Sequence, residues 1–194
     1  MKSIIIISGP VGAGKSTVAK ELIALSSEPI AYIDGDVFRQ FIAKNESHHK
    51  HKNFKTIMNA MIAASIPYAI ADYEVILDFT VPPWFINAAS TMAGGHDVPL
   101  DYVVLRPELD VCEKRAASKT TGAIADYEPF LDLYLDFDDI QENVIEDNSG
   151  DALSVAEVIR TGLISGRFRI WQKTRLSILI QHDFYPVKTI AWLL

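Results

Sequence analysis

Ile4-Ile5-Ile6-Ile7-Ser8 runs directly into Gly9-Pro10-Val11-Gly12-Ala13-Gly14-Lys15-Ser16-Thr17 near the start of the chain. Four consecutive isoleucines predict a buried strand, and the spacing of apolar residues from Lys15 to Leu25 predicts a helix. The turn between them matches the pattern Gly-x4-Gly-Lys-Ser, which binds phosphate when it connects a strand to a helix. A Gly-rich turn without a ligand is the alternative interpretation.

This turn can supply several groups that bind a triphosphate. Its glycines let successive backbone N–H groups point inward, and the following helix adds the positive end of its dipole. Lys15 would reach the β- and γ-phosphates, and Ser16 would offer its hydroxyl to Mg²⁺. The residues expected to bind the nucleotide here are Gly9, Val11, Gly12, Ala13, Gly14, Lys15, Ser16 and Thr17. We therefore expect the chain to bind a nucleoside triphosphate.

The bulk composition is that of a compact protein of one domain. A chain of 194 residues, 49% of them hydrophobic, can bury a substantial core, and no apolar run approaches the ~18 residues of a membrane helix. The apolar start is too short for a signal peptide, and the single cysteine, Cys112, fits a reducing cytoplasm. A net charge of −7 argues against nucleic-acid binding. We expect a cytoplasmic protein that binds neither nucleic acid nor membrane.

Predicted strands and helices alternate along the chain, which indicates an open parallel sheet covered on both faces. Strands are predicted at 3–8, 30–33, 74–79, 100–105 and 143–145, and helices at 15–26, 37–44, 54–73, 108–118, 126–135 and 154–164. Pro67 is expected to kink the third of these helices. The segment from Pro82 to Gly95 is left without an assigned element.

Two carboxylates and a guanidinium, those of Asp34, Asp36 and Arg39, follow the second predicted strand. The carboxyl ends of parallel strands surround the ligand crevice, and a carboxylate there can orient and deprotonate an acceptor hydroxyl. Asp36 is therefore assigned as the catalytic base and acceptor-positioning residue. Asp34 would lie nearer to Mg²⁺, and Arg39 could bind the acceptor or the transferring phosphate. Capping of a turn and a helix is the alternative for the two aspartates.

Asp78 ends the third predicted strand, after Val75-Ile76-Leu77. A carboxylate that follows a hydrophobic strand beside a phosphate loop can hold Mg²⁺ directly or through water, and this position also borders the expected acceptor pocket. The alternative is an aspartate that caps the turn into Pro82. The neighbouring aromatics Phe79, Trp84 and Phe85 could form an apolar wall for the acceptor or belong to the core.

Arg115 and Lys119 are spaced one helical turn apart and precede the flexible stretch 120–123. Two cations on one helix face, followed by such a stretch, are typical of a closing lid that stabilises charge on the transferred phosphate. Both are assigned to nucleotide binding, and Arg115 also to catalysis, with Arg106 as a further candidate. A solvated helix face is the alternative.

The histidines of 48–51, His48, His49 and His51, alternate with lysines that repel a cation. A mobile loop over the acceptor pocket is therefore favoured over a metal site.

Four stretches carry a family resemblance, and they are the loop 9–17, the stretch 34–39, the stretch 102–107 that leads to Arg115, and the stretch 144–147. Together they resemble the small-molecule kinases among the P-loop proteins, such as gluconate, shikimate and adenylylsulfate kinases and chloramphenicol phosphotransferase. The resemblance implies a three-layer α/β P-loop NTPase fold, a five-stranded parallel sheet of order 2-3-1-4-5 and a small lid. It also implies adenine near 147–150. Lys119 stands where these kinases often carry a second lid arginine.

The resemblance spans about residues 3–165 and implies one kinase domain at 1–166, with an acceptor-binding helical region at about 37–73 and a lid at about 115–130. Residues 167–194 form a basic, apolar extension with five Lys or Arg side chains and only Asp183 as an acid. Packing of this extension on the acidic body of the same domain is favoured. A dimer contact, membrane-surface binding and an altered reading frame are the alternatives.

Two classes of function remain open. The first is an ATP-dependent kinase that uses Mg²⁺ to transfer the γ-phosphoryl group to a hydroxyl of a small polar metabolite, gluconate-kinase-like or related, as a monomer or homodimer. The second is an NTPase or nucleotide-binding regulatory module without a small-molecule acceptor. The stretch 34–39 favours the kinase, because a switch protein has no need of an acceptor pocket there. No Asn-Lys-x-Asp sequence, the guanine-selective pattern, is present.

Overall fold

A computed structural model describes residues 2–44, 50–120, 123–138, 142–146 and 151–170, with only the backbone for 50–52. Its centre is a parallel sheet of five strands in the order β2-β3-β1-β4-β5, which confirms the predicted topology. The strands are β1 (Ile4–Ser8), β2 (Ile30–Asp34), β3 (Glu74–Asp78), β4 (Leu100–Leu105) and β5 (Val144–Ile145). The two sheet edges are therefore β2 and the very short β5.

Seven α-helices connect and cover these strands in the described residues. They are α1 (Lys15–Ala24), α2 (Gly35–Gln40), α3 (Lys50–Ile70), α4 (Ile86–Gly94), α5 (Leu109–Ala117), α6 (Leu131–Leu135) and α7 (Ala152–Ser165). Short 3-10 turns at Pro83–Phe85 and Glu128–Phe130 precede α4 and α6. None of the described helices combines the length and apolar character needed to cross a membrane.

The four isoleucines of β1 explain the three-layer architecture. Successive side chains of a strand point to opposite faces, so Ile4 and Ile6 pack with α3 and α4, whereas Ile5 and Ile7 pack with α1 and α7. All four are essentially fully buried. A run of apolar residues without polar alternation is what a central strand covered on both faces requires.

Helix α4 occupies the segment for which the sequence analysis assigned no element. Its buried side chains are Ile86, Ala89, Ser90 and Ala93, which do have helical spacing. Three of these four side chains are small or polar, so they contribute little to the hydrophobic periodicity from which a helix is predicted. Most of the other elements lie within four residues of their predicted bounds, and α2 begins two residues earlier, at Gly35. The largest difference is at α6, which begins five residues later than predicted, after a 3-10 turn.

The last described residues pack on the outer edge of β4. Tyr102 donates its backbone N–H to the carbonyl of Phe168, and Ile170 donates to that of Leu100, which forms an antiparallel bridge. Arg169 makes a two-pronged ion pair with the buried carboxylate of Asp101, at 2.7 and 3.2 Å. Residues 171–194 lie outside the described residues, so the packing of the complete extension and its boundary stay predictions.

Candidate active site

The carboxyl ends of three neighbouring strands are level with one another, and the side chains at these ends lie on the same face of the sheet. Ile7 of β1 pairs with Asp78 of β3, and Asp78 pairs with Asp34 of β2. Paired residues of parallel strands point to the same face, and Ile7 packs on the side of α1 and α7. The two carboxylates, which are 44 positions apart in the sequence, are therefore neighbours beside the loop that leads into α1.

The loop between β1 and α1 has little room for any residue other than glycine at two positions. Gly9 and Gly12 have φ angles of 138° and 83°, which L side chains rarely adopt. A Cβ on Gly9 would lie 2.1 Å from the carbonyl oxygen of Leu105, and one on Gly12 would lie 2.2 Å from that of Cys112. The loop is thus fixed against β4 and α5 in the bent conformation that phosphate binding needs.

The ammonium group of Lys15 folds back over this loop. Its Nζ donates hydrogen bonds to the carbonyl oxygens of Gly9 and Pro10, at 3.1 and 2.9 Å. Burial lowers the pKa of Lys15 to about 8, while the nearby carboxylate of Asp78 opposes this shift and the charge of Lys119 adds to it. Lys15 therefore lies where it could exchange two carbonyl oxygens for phosphate oxygens.

The first turn of α1 presents polar groups to solvent. Gly14 stands at the N-cap in the left-handed region and supplies no side-chain cap to the helix. Ser16 and Thr17 are both exposed, so their hydroxyls are accessible to a phosphate or a metal ion. A helix start with uncapped N–H groups beside a lysine is a favourable place for an anion.

Asp34 caps the helix that follows it. Its Oδ1 accepts a hydrogen bond from the backbone N–H of Asp36 at 2.8 Å, so the capping interpretation is correct for this residue. Burial, together with the nearby charges of Asp78 and Asp36, raises its pKa. Capping engages one of its oxygens in a hydrogen bond and does not exclude a second role toward a metal ion.

Asp36 and Arg39 lie on the exposed side of α2. Their charged groups are 3.5 Å apart, one turn along the helix, with side chains that are 77% and 65% exposed. Such a pair contributes little to stability, and both groups remain accessible to a molecule that approaches the strand ends.

Asp78 has a partner that the sequence analysis did not single out. The hydroxyl of Tyr32 donates a hydrogen bond to Oδ2 of this carboxylate at 2.8 Å. Burial and the adjacent carboxylate of Asp78 raise the pKa of Tyr32 well above its usual value, so the phenol stays protonated. Tyr32 and Asp34 are two residues apart on one strand and share a face, which is the one signal that could have drawn attention to Tyr32.

The aromatic residues after β3 divide between core and surface. Phe79 and Phe85 are buried, whereas Trp84 is 42% exposed. The ring of Phe79 fills the space beside Gly35, where an added Cβ would lie 2.1 Å from the ring. Phe79 therefore fixes the start of α2, and of the three predicted wall residues only Trp84 is exposed.

The expected lid begins at α5, with one correction. The guanidinium of Arg115 reaches the loop, since its Nη1 would lie 3.7 Å from a Cβ on Gly14. Helix α5 ends at Ala117, so Lys119 lies beyond it, and the prediction that both cations share one helix face is wrong. The charge of Lys119 nevertheless acts on Lys15.

Tyr127 anchors the segment after α5 to the phosphate loop. Its hydroxyl donates to the carbonyl oxygen of Val11 at 2.7 Å, and its buried ring packs with Cys112, Ala116 and Tyr134. Burial raises the pKa of the Cys112 thiol to about 11, so this thiol is not a nucleophile at neutral pH. The hydrogen bond from Tyr127 to Val11 joins positions 116 residues apart, so no local sequence pattern predicts it.

Arg106, the further lid candidate, is engaged elsewhere. Its guanidinium pairs with the carboxylate of Asp138 and lies over the ring of Tyr134, 4.5 Å from the centroid. It borders a cavity of about 570 Å³ at the end of β5. The predicted adenine site at 147–150 lies outside the described residues, as do His48 and His49. Among the residues that are described, no group of three or more His, Cys, Asp or Glu could hold a metal ion.

Comparison with known proteins assigns the chain that forms this site to a family. The model of a family described as "AAA domain" matches residues 4–126, which include the phosphate loop, Asp34, Asp78 and Arg115. The chain belongs to this AAA-domain family. No curated protein matches the chain significantly.

Several solved structures of other proteins are similar to this chain over most of its length. The tunicamycin resistance protein of Deinococcus radiodurans is 16% identical, with a TM-score of 0.65 over 84% of this chain and 96% of that one. The APS kinase CysC of Mycobacterium tuberculosis, in complex with AMPPNP and APS, is 14% identical, with a TM-score of 0.58 over 84% and 98%. A chain of the Pnkp1/Rnl/Hen1 RNA repair complex is 18% identical, with a TM-score of 0.57 over 70% and 43%. At such identities the likeness shows the fold alone, a three-layer α/β fold around a parallel sheet of order β2-β3-β1-β4-β5.

Proposed function

We propose that the protein is a kinase that transfers the γ-phosphoryl group of ATP to a hydroxyl of a small polar molecule. The observation that carries this proposal is the level arrangement of Asp34 and Asp78 beside a loop that holds Lys15. Phosphoryl transfer depends mainly on positioning and on charge stabilisation, and these groups can provide both. The APS kinase named above was solved with a nucleotide analogue and its substrate, and its similar fold supports the same class of reaction.

The loop would hold the triphosphate. Backbone N–H groups of the loop 9–17, to which Pro10 contributes none, would surround the β-phosphate. Lys15 would turn from the carbonyl oxygens of Gly9 and Pro10 toward the β- and γ-phosphates. Arg115, whose guanidinium already stands beside Gly14, would contact the γ-phosphate, and Lys119 would add positive charge. These cations would neutralise the charge that develops on the transferred group.

The groups near the metal position fit Mg²⁺. The hydroxyl of Ser16 and the carboxylates of Asp34 and Asp78 are oxygen donors, and Mg²⁺ is commonly held by one or two carboxylates, phosphate oxygens and water. When bound, the ion would offset the negative charge of the triphosphate. The described residues include no larger ligand cluster, so a metal that binds with the nucleotide fits better than a permanent one.

The acceptor would bind at the mouth of the site, where Asp36 and Arg39 are accessible. The acceptor oxygen would form a bond to the γ-phosphorus while the bond from that phosphorus to the β,γ-bridging oxygen breaks, so that ADP leaves. Asp36 would take the proton of the hydroxyl and later release it to water. Arg39 would bind an anionic or polyhydroxylated part of the acceptor, and the half-exposed ring of Trp84 could contact an apolar part.

An acceptor panel tests this proposal. ADP release with Mg²⁺ and ATP is measured alone and with sugar acids such as gluconate, nucleosides, antibiotics and a 5′-hydroxyl RNA oligonucleotide, and products are weighed by mass spectrometry. One small acceptor should raise ADP release and gain one phosphate per ADP. Lys15→Ala should abolish the signal, whereas Lys20→Ala, which removes an exposed lysine from the same helix, should retain it.

Two other outcomes would contradict the small-molecule assignment. Slow ADP release that no acceptor stimulates would support the NTPase or regulatory module instead. Phosphorylation of the RNA end would favour a nucleic-acid acceptor, for which the similarity to a chain of an RNA repair complex is the supporting observation. The net charge of −7 favours the small acceptor, because nucleic-acid sites are normally basic.

A further inference from the structure

The hydrogen bond between Tyr32 and Asp78 connects an edge strand to the metal side of the site. Tyr32 lies on β2, two residues before Asp34, so the two side chains share the face of the sheet that α1 and α7 cover. Asp78 is only 4% exposed, whereas Tyr32 is 38% exposed. The phenol therefore lies on the solvent side of the carboxylate, with its hydroxyl 2.8 Å from Oδ2.

Core packing does not account for this tyrosine. The side chain of Tyr32 is 38% exposed, whereas each of its strand neighbours Ile30, Ala31 and Ile33 packs in one of the two apolar clusters that cover the sheet. A phenol also differs from a cation as a partner for Asp78. It fixes one carboxylate oxygen by a hydrogen bond but leaves the negative charge of the carboxylate uncancelled, as a metal-binding carboxylate requires.

We propose that Tyr32 is a positioning residue for the metal–nucleotide complex. Its hydroxyl holds the Asp78 carboxylate in the orientation that receives Mg²⁺ or a water molecule bound to it. The inference rests on the proposed function, in which Asp78 contacts the metal, and it adds a residue that acts only through Asp78. Loss of the hydroxyl should therefore weaken metal binding without weakening the contacts between the loop and the phosphates.

The test measures Mn²⁺ binding to the complex of the full chain with ADP, by electron paramagnetic resonance of free Mn²⁺. Tyr32→Phe should weaken Mn²⁺ binding about 10-fold, the usual effect of losing a partner of a metal ligand. Its affinity for ADP in the presence of EDTA should equal that of the wild type, which also shows that the variant is folded. Tyr73→Phe is the control, because it removes a phenol hydroxyl from a half-exposed tyrosine just before β3 begins, at the end of the strand opposite to Asp78. It should change neither the Mn²⁺ affinity nor the ADP affinity.

A double-mutant cycle with Asp78→Asn decides whether Tyr32 acts through Asp78. Tyr32→Phe should have no further effect on Mn²⁺ binding in the Asp78→Asn protein. An equal effect in both backgrounds, or no effect in the wild-type background, would overturn the role of Tyr32 and leave the proposed function intact. Unchanged Mn²⁺ binding by Asp78→Asn would overturn both this inference and the metal role of Asp78. No acceptor is needed, so a failed acceptor search does not affect the result.

Discussion

A lysine that binds phosphate must be charged, yet the loop that holds Lys15 also removes water from it. Its pKa of about 8 results from that burial, although Asp78 and two backbone carbonyls favour the ammonium form. A phosphate group would supply the missing negative charge and raise the pKa again. Nucleotide binding above neutral pH should therefore take up a proton.

We predict that nucleotide affinity falls as pH rises through 8. At pH 9 only about a tenth of the nucleotide-free protein has a charged Lys15, so ADP affinity should be roughly 10-fold weaker than at pH 7. The free energy of unfolding of the nucleotide-free protein should rise with pH between pH 8 and 10.5. In this range the unfolded chain retains the Lys15 proton that the folded chain has released. Calorimetry in buffers of different ionisation enthalpy measures the proton uptake, which Lys15→Met should abolish.

Asp36 is expected to act on the acceptor and not on ATP, because it lies on the exposed side of α2. We predict that Asp36→Asn lowers kcat at least 100-fold, the usual contribution of a general base, with ATP affinity nearly unchanged. Asp110→Asn is the matched control, since Asp110 is also exposed and paired along a helix, with Lys114. Steady-state kinetics with the identified acceptor provide the measurement, and retained turnover would exclude Asp36 as the base.

Helix α2 carries Asp36 and Arg39, and its position depends on contacts that begin before its first turn. Asp34 caps it, and Gly35 lets the ring of Phe79 pack directly on the backbone at its start. The stretch Asp34-Gly35-Asp36 thus combines a close packing contact with two carboxylates. A side chain at position 35 would therefore disturb both the packing of Phe79 and the positions of the two carboxylates.

We predict that Gly35→Ala destabilises the protein by about 2 kcal/mol, the usual cost of an extra methyl group in a filled space. The reason is that the new Cβ would overlap the ring of Phe79. Gly95→Ala is the control, because a Cβ there meets its nearest atoms at 3.5 Å, and it should be nearly neutral. Urea denaturation measures both, and equal stability of the two variants would contradict the packing argument.

The outer edge of β4 depends on an ion pair far from the phosphate loop. Asp101 is 1% exposed and its carboxylate is held by Arg169. We predict that Arg169→Ala destabilises the protein by about 3 kcal/mol, since it leaves a buried charge without its partner. Adding Asp101→Asn should recover part of this loss, whereas Arg160→Ala on α7 should cost less than about 1 kcal/mol. Denaturation midpoints at neutral pH decide between these values.

Ligand binding at this site should stabilise the entire chain. A nucleotide at 100 times its Kd contributes about 2.7 kcal/mol to the stability of a protein that binds it only when folded. For a chain of this size, we predict that ADP with Mg²⁺ raises Tm by roughly 5 to 10 °C. Differential scanning fluorimetry measures this shift. Lys15→Ala should lose most of it, and an equal shift in that variant would place the nucleotide elsewhere.

The parallel sheet and the loop could be predicted because their signals are local, whereas the strand order 2-3-1-4-5 was implied only by the resemblance to P-loop small-molecule kinases. Four isoleucines followed by a Gly-rich turn and a helix lie within 25 residues, and the alternating strands and helices predict the parallel sheet. The contacts of Tyr32 with Asp78, Phe79 with Gly35 and Tyr127 with Val11 could not be predicted, because each depends on how distant segments align. Helix α4 was missed for a different reason, since its buried face is mostly small or polar.

Because the strand ends are level, the number of residues in β2 and β3 is constrained more tightly than the identity of most of those residues. Inserting or deleting one residue in β2 or β3 would slip its pairing and rotate Asp34 or Asp78 to the opposite face. The loops and helices around the acceptor position carry no such constraint, since they can lengthen without changing strand alignment. Descendants of this chain could therefore acquire new acceptors by loop insertions between strands, while the spacing within 30–34 and 74–78 stays constant.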